Sequence, residues 1–300
     1  MTTKQMQNLP SVRGKYLFDE PMRRHTWLGV GGEAEVMFLP EDEADLQYFL
    51  RNKPQNLPVF ILGGGSNLLV RDGGIKGITI KLQNKNFAQW RIENNLLICG
   101  AGMQNFALKN ILPENNIGGL EFLCSIPGTI GGAFRSNAGC FGCELAQVLH
   151  HAKIMNGQGD ILEITPEQFG FAYRHSDFPS DWIILEADLT TITKKSEEII
   201  AQIKQNEDYR KEHQPQGIRT AGSTFKNPQE KAAWKLIKES GGAEMIIGGA
   251  KMSAQHCNFL EVSDNARATD VEKLCENIMK AVKTKFDVSL ELEIKCVGQK

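Results

Sequence analysis

Two glycine-rich segments hold the residues best suited to chemistry. The first reads VFILGGGSNLLV and gathers Gly63, Gly64, Gly65, Ser66 and Asn67 behind an apolar run. The second reads SIPGTIGGAFRSNAGCFG and carries Gly128, Thr129, Gly131, Gly132, Asn137, Gly139 and Gly142. Glycine lacks a Cβ, so its backbone N–H groups can approach and ring a bulky anion. Two such loops point to one large, phosphate-bearing cofactor held from two sides. A lone glycine cluster reads first as turn and packing punctuation. The Ser, Thr and Asn interleaved in both clusters shift the balance toward a ligand. Neither common nucleotide fingerprint fits: no Lys follows a glycine at P-loop spacing, and Leu68 stands where a Rossmann loop needs its third glycine.

Two more segments look chemical. FAYRHSDF (171–178) holds Tyr173, Arg174, His175 and Asp177 between apolar flanks. Alone, Arg174 reads as a surface ion pair, which contributes little. AGSTFKNP (221–228) packs Ser223, Thr224, Lys226 and Asn227 between a Gly and a Pro. Alone, Ser223 reads as a helix cap or turn serine. No G-x-S-x-G occurs, so a serine hydrolase is poorly supported. Glu291 and Glu293 are two apart on an expected strand and share a face, either at a solvent edge or in a site.

The seven cysteines are scattered. Cys140 and Cys143 form a C-x-x-C without a second pair, so small packing residues are expected there rather than a zinc or redox centre. No two of the six histidines have metal-ligand spacing on a helix, and no metal is expected. With 300 residues, 41% hydrophobic and 23% charged, the composition is that of a soluble chain of about two domains. A net charge of −2 gives no reason to expect nucleic acid or a membrane surface. No membrane span or secretory leader is read, so the expected compartment is the cytoplasm.

These residues need elements to position them. Strands are expected at 34–40, over PVFILGGGS (58–66) ending in the first loop, and at 77–82, 88–95, 96–102, 152–157, 160–165 and 182–192, with VSLELEIKCVG closing the chain as an alternating strand. Helices are expected over 41–52, 104–112, 197–213 and 231–240, the last stopping at Gly241 and Gly242. Ile199, Ile200 and Ile203 are expected on one face. Thr269 to Glu272 has a capping-box pattern ahead of Val271, Leu274, Ile278 and Val282. The second glycine loop is expected to run to about residue 144. The breaker cluster 213–217 reads as a domain boundary. The fold class is α+β.

Taken together, TWLGVGG, LGGGSNLLV, IPGTIGGA, YRHSDF, AGSTFKNP, AWKLI, GGAKMS–HCNF and LELEIKCVG resemble the UDP-N-acetylenolpyruvoylglucosamine reductases. These are the flavoenzymes that make the muramic acid unit of bacterial peptidoglycan. The resemblance runs from about Thr26 to Gly298, to the shorter class without an extra loop over the substrate. It implies a two-subdomain FAD-binding fold of the vanillyl-alcohol-oxidase (PCMH) type plus a smaller α+β substrate-binding domain. The implied domains are 16–82 with the terminal strand 286–300, 83–213, and 214–285. It implies non-covalent FAD, NADPH as donor and a UDP-sugar substrate. FAD would be held by Gly63, Gly64, Gly65, Ser66, Asn67, Ile126, Pro127, Gly128, Thr129, Gly131, Gly132 and Asn137. Arg174, Ser223 and Glu293 would be catalytic, and Tyr173, Arg210 and Asn227 would contact substrate. The oligomeric state stays open, with a monomer expected.

The chain departs from the family pattern at Ser125 for Gly, Ser136 for Met, Phe141 for Tyr and His25 for Asn. If position 125 needs a left-handed backbone, serine there costs about 1–2 kcal/mol. Two other readings remain: a flavin oxidase of the same fold acting on an alcohol or sugar, and a non-catalytic nucleotide-binding module. NADPH consumption dependent on the enolpyruvyl sugar, O₂ consumption, or neither would separate the three.

Overall fold

Runs of β-branched and aromatic residues become strands, and runs with acidic caps become helices. A computed structural model describes residues 8–229 and 231–300. The chain opens with β1 (Lys15–Pro21) and β2 (Glu33–Leu39), then α1 (Glu43–Asn52), whose cap Asp42 accepts the Asp45 N–H at 2.9 Å. β3 (Val59–Leu62) enters the first glycine loop, β4 (Leu68–Val70) leaves it, and β5 (Ile75–Lys81) follows. β6 (Trp90–Glu93) and β7 (Leu96–Gly100) form a hairpin over Asn94 and Asn95, both left-handed as a two-residue turn requires. After α2 (Leu108–Glu114) and β8 (Ile117–Gly118) comes a correction to the second glycine segment. It is not one long loop. It contains α3 (Ile130–Arg135), capped by the Thr129 hydroxyl, and a hairpin of β9 (Gly139–Cys140) and β10 (Cys143–Glu144).

β11 (Leu149–Met155), β12 (Ile161–Ile164), β13 (Ile183–Thr190) and β14 (Ile192–Thr193) lead to α4 (Ser196–His213). Then follow α5 (Ala233–Glu239), β15 (Ile246–Ile247), β16 (Ala250–Met252), β17 (Leu260–Val262), α6 (Ala268–Phe286) and β18 (Lys295–Val297). Among the described residues no helix is long and apolar enough to cross a membrane.

Two compact units result. The first holds the chain up to Phe18, Val36–Gly64 and Gly77–Asp208. Its sheets have the strand orders β1-β2-β5-β3, with β3 and β5 parallel, and β12-β11-β13-β7-β6, antiparallel throughout. Phe38, Phe49, Ile80, Leu97, Phe134, Ile154 and Leu189 are fully buried in one core. Burying each such side chain is worth about 1.5–3 kcal/mol against exposure. Ile199 and Ile203 join that core from α4, but Ile200 is 53% exposed. The buried stripe instead continues to Asn206, at i, i+4, i+7 from Ile199, because a neighbour one residue away points about 100° round the helix.

The second unit holds Asp19–Glu35, Gly65–Lys76 and Tyr209–Lys300. It has an antiparallel sheet of order β15-β16-β17 and a parallel pair of β18 with β4. Leu236, Ile237, Val271, Leu274, Ile278 and Val282 form its core, as the helical spacing of α6 required. α5 ends at Gly241, left-handed with φ +80°. The closing segment is not one alternating strand: only Lys295–Val297 pairs regularly, after a bend at 293–294. The start of α6 also differs from its expected capping box. Asp72, distant in sequence, accepts the backbone N–H groups of Ala268 and Thr269 at 3.0 Å each and the Thr269 hydroxyl at 2.5 Å.

Burial pushes the Asp72 carboxyl up, but the Thr269 hydroxyl, the two N–H groups and Arg267 outweigh it, and its pKa lies below the usual carboxylate value. Its stabilisation is therefore present at neutral pH and is lost as pH falls through that lowered value. Asp72→Ala is expected to cost about 0.5–2 kcal/mol at pH 7. Urea unfolding should show the difference at neutral pH and show it shrinking toward pH 3.

Candidate active site

In the first unit the two glycine segments meet. A Cβ on Gly64 would lie 2.6 Å from the Gly128 Cα, and one on Gly63 would lie 3.2 Å from the Thr129 hydroxyl oxygen. Gly128 has φ +112°, a conformation closed to other residues. Only glycine allows this approach, and the crowding leaves main-chain groups, not side chains, lining the loops. Asn105, fully buried, sets the second loop: its N–H donates to the Gly128 carbonyl at 3.0 Å and its Nδ2 to the Ile126 carbonyl at 3.1 Å. Its Oδ1 is buried without a partner among the described residues. Gly131 and Gly132 lie in the first turn of α3, where the Gly131 N–H donates to the Ala101 carbonyl and the Gly132 N–H to the Thr129 hydroxyl. Ile126 is half-buried and Pro127 exposed. The side-chain-free loops leave room for a large cofactor beside main-chain groups, and the unpaired Asn105 Oδ1 calls for a hydrogen-bond donor.

Ser125 overturns one expectation. It ends a 3-10 turn (Leu123–Ser125) and is absent from the left-handed residues, so it carries no backbone penalty. Its hydroxyl donates to the Phe122 carbonyl at 3.0 Å and is 3.6 Å from the Cys140 sulfur. All seven cysteines are free, and Cys140 and Cys143 face each other across the β9–β10 hairpin.

The YRHSDF segment is pinned to the same loop. Ala172 and His175 exchange backbone hydrogen bonds, which places Tyr173 and Arg174 at the tip of a tight turn with Arg174 at φ +54°. The turn rests on a cluster of Phe134, Phe169, Phe171 and Phe178, with ring centroids 4.8–5.7 Å apart. The Arg174 guanidinium donates to the Gly139 carbonyl at 2.8 Å and lies over the Tyr173 ring. Asn137, fully buried, donates through Nδ2 to the Ala172 carbonyl and accepts the Ala146 N–H, both at 3.0 Å. Gly64, Gly128, Asn137, Tyr173 and Arg174 are thus brought into one connected region.

In the second unit, Gly65, Ser66 and Asn67 continue the first loop. The Asn67 Nδ2 donates to the Glu293 carbonyl at 3.0 Å. The Glu293 N–H in turn donates to the Thr224 carbonyl at 2.8 Å, beside Ser223. Asn258, not foreseen as a site residue, clamps that loop. It accepts the Phe225 N–H on Oδ1, donates from Nδ2 to the Phe225 carbonyl, and accepts the Thr224 N–H on its own carbonyl, at 2.8–3.0 Å. Its N–H donates to His256 Nδ1 at 3.3 Å, and burial lowers the His256 pKa, which keeps that nitrogen an acceptor. The Ser223 hydroxyl has no hydrogen-bond partner among the described residues. Asn227 accepts the Ala233 N–H at the start of α5 at 3.0 Å, and Arg210, on the last turn of α4, donates to Gln214 at 3.3 Å.

Comparison with known proteins bears directly on this arrangement. Residues 34–165 match the FAD binding domain model, and residues 214–297 match the C-terminal domain of UDP-N-acetylenolpyruvoylglucosamine reductase. A UDP-N-acetylenolpyruvoylglucosamine reductase of Wolbachia pipientis is 42% identical over 97% of this chain and 98% of its own. The chain belongs to the UDP-N-acetylenolpyruvoylglucosamine reductase family. Another member, from Paramagnetospirillum magneticum, is 41% identical over 97% of this chain and 94% of its own. The crystal structure of the Thermus caldophilus reductase superposes with a TM-score of 0.81 at 31% identity, covering 95% of this chain and 99% of that one. The α+β FAD-binding architecture and FAD as cofactor follow with the family.

Asn258 is legible only as part of HCNF, and Asn105 only as a polar residue opening a short helical run. Asn258→Ala leaves buried donors and acceptors of Phe225 unpaired, at an expected cost of about 1–3 kcal/mol. Denaturant unfolding measures that cost, and steady-state turnover should fall with it because Ser223 loses its anchor.

Proposed function

We infer that the protein is an FAD-dependent reductase of peptidoglycan-precursor synthesis, converting UDP-N-acetylglucosamine-enolpyruvate to UDP-N-acetylmuramate. The observation that carries this reading is the 42% identity to a named reductase across 97% of the chain. Bound FAD supplies the hydride, taken from NADPH, for the terminal carbon of the enolpyruvyl group.

The chain's own residues handle the charge and the proton. Hydride addition builds negative charge on the carbon beside the carboxylate, and the carboxylate shares it. Arg174 binds that carboxylate with its planar fork, which matches both oxygens. The bond to the Gly139 carbonyl uses one of five guanidinium N–H donors and fixes the plane of the group. Ser223 delivers the proton to the carbon, and its hydroxyl has no hydrogen-bond partner among the described residues. Glu293 supplies a hydrogen bond or proton to the developing charge, its backbone held by Thr224 and Asn67. Tyr173, Arg210 and Asn227 contact the phosphates and sugar, Asn227 through the Nδ2 that capping leaves over. The enzyme acts as a monomer in the cytoplasm.

NADPH oxidation that requires the enolpyruvyl sugar tests the reading; O₂ consumption on an alcohol instead would replace it with an oxidase. Arg174→Lys keeps the charge but loses the two-pronged geometry. Turnover should drop while NADPH still bleaches the flavin, and near-normal turnover would return Arg174 to a surface role. Ser223→Ala should separate the half-reactions. Bleaching by NADPH should stay near the normal rate, and reoxidation by substrate should slow by about 10²–10⁴-fold, the range for losing a general acid. Rapid-mixing absorbance reads both steps; equal slowing of the two would remove Ser223 from the proton transfer.

A further inference from the structure

A cavity of about 530 Å³ in the second unit is lined by Arg23, Arg24, Thr26, Trp27, Arg219 and Asp264. None of these is among the residues placed above in the cofactor or substrate sites. Three arginines and one aspartate line it, in a chain whose overall charge is −2. Asp264 is already committed to Arg219 at 2.8 Å, and the neighbouring Glu20 carboxylate is engaged by His25 at 2.9 Å. Arg23 and Arg24 have no ion-pair partner among the described residues. Trp27, 51% exposed, offers a flat face beside them. Like-charged groups held together around a cavity, with Asp264 and Glu20 already engaged, present a demand for negative charge.

The walls are also preformed. The Trp27 N–H donates to the Gly65 carbonyl at 3.0 Å, and the Thr26 hydroxyl accepts the Gly29 N–H at 3.3 Å. Gly29 is left-handed at φ +67°, and a Cβ there would lie 3.2 Å from the Arg219 Cδ. The missing side chain at position 29 is what lets the Arg219 stem lie against the backbone. The volume falls in the range of small-molecule pockets and accommodates a nucleotide-sized group.

We propose that this arginine-rimmed cavity binds a nucleotide phosphate, with Arg23 and Arg24 on the phosphate and Trp27 stacked on the base. Guanidinium forks match phosphate oxygens, and an indole face accepts any base without reading its edge. Two reactants of the activity inferred above carry that chemistry: the 2′-phosphoadenosine end of NADPH and the UDP end of the sugar nucleotide. The inference rests on that activity only for the source of the ligand, not for the site.

Calorimetric titration of the FAD-loaded enzyme with adenosine 2′,5′-bisphosphate and with UDP decides it, on wild type, Arg23→Ala/Arg24→Ala and Trp27→Ala. Wild type should bind at least one probe, and both variants should weaken that binding by about tenfold or more, with a steep salt dependence. Loss confined to adenosine 2′,5′-bisphosphate, with KM rising for NADPH but not NADH, assigns the cavity to the electron donor. Loss confined to UDP, with KM rising for the enolpyruvyl sugar, assigns it to the substrate. Loss of both assigns it to each in turn. Melting curves check folding, and a conservative Arg23→Lys/Arg24→Lys variant should recover part of the affinity. No binding to wild type, or affinities within twofold across the variants, overturns the proposal. Wild-type enzyme that binds a probe but fails to oxidise NADPH with the sugar would instead indict the activity.

Discussion

Gly64 and Gly128 approach so closely that a single methyl group on the first would lie 2.6 Å from the Cα of the second. Much of the first unit exists to hold that contact. Asn105 draws in the Gly128 and Ile126 carbonyls, the Thr129 hydroxyl starts α3, and Gly131 hydrogen-bonds to the end of β7 through Ala101. The result is a close approach of two backbones without side chains between them, fixed by bonds from Ile130, Gly131 and Gly132 back into the fold. The five-stranded antiparallel sheet and the phenylalanine cluster supply the rigidity that such a contact demands.

The second unit solves a different problem. Its key residues are remote in sequence, yet one line of hydrogen bonds runs from Asn67 to Glu293 to Thr224 to Asn258. Each link uses at least one main-chain group, so the line fixes the backbone at Ser223 and Glu293. The parallel pairing of β18 with β4 sets its register, since Lys295 donates to the Asn67 carbonyl at 3.0 Å. A one-residue slip in that short pairing would turn Lys295, Cys296 and Val297 to the opposite faces and break the bond to Asn67.

Local pattern made part of this legible. The capped start of α1, the Gly241 stop and the spacing of Val271, Leu274, Ile278 and Val282 are each set by neighbours within a few residues. What escaped the sequence depends on partners far along the chain. Thr269 looked like a cap because no local feature announces that Asp72 fills that role across 197 residues. The closing segment alternates, yet bends at 293–294 where the Glu293 and Ile294 N–H groups both turn to the Thr224 carbonyl. Ser125 looked strained because position says nothing of dihedral angle; it closes a 3-10 turn that any residue can adopt. Ile200 looked like core by hydrophobicity, and only the rotation of α4 exposes it.

Backbone strain gives the last connection. Eight non-glycine residues among those described have left-handed φ, and six are Asn or Asp, which tolerate it. The other two are Phe141, at φ +55°, and Arg174, at φ +54°. Each sits in a tight turn that calls for it, Phe141 with Gly142 (φ +80°) in the β9–β10 hairpin and Arg174 in the Ala172–His175 turn, yet for side chains other than Gly, Asn or Asp the conformation costs on the order of 1–3 kcal/mol. They are not independent. Arg174 donates to the Gly139 carbonyl, two residues before Phe141, and Phe141 forms the tip of the hairpin that carries that carbonyl. The tight turn directs the guanidinium, and the hairpin holds the acceptor that fixes it. A relaxed backbone at either residue would move the donor from its acceptor, so the two strained turns and the bond between them hold one another in place.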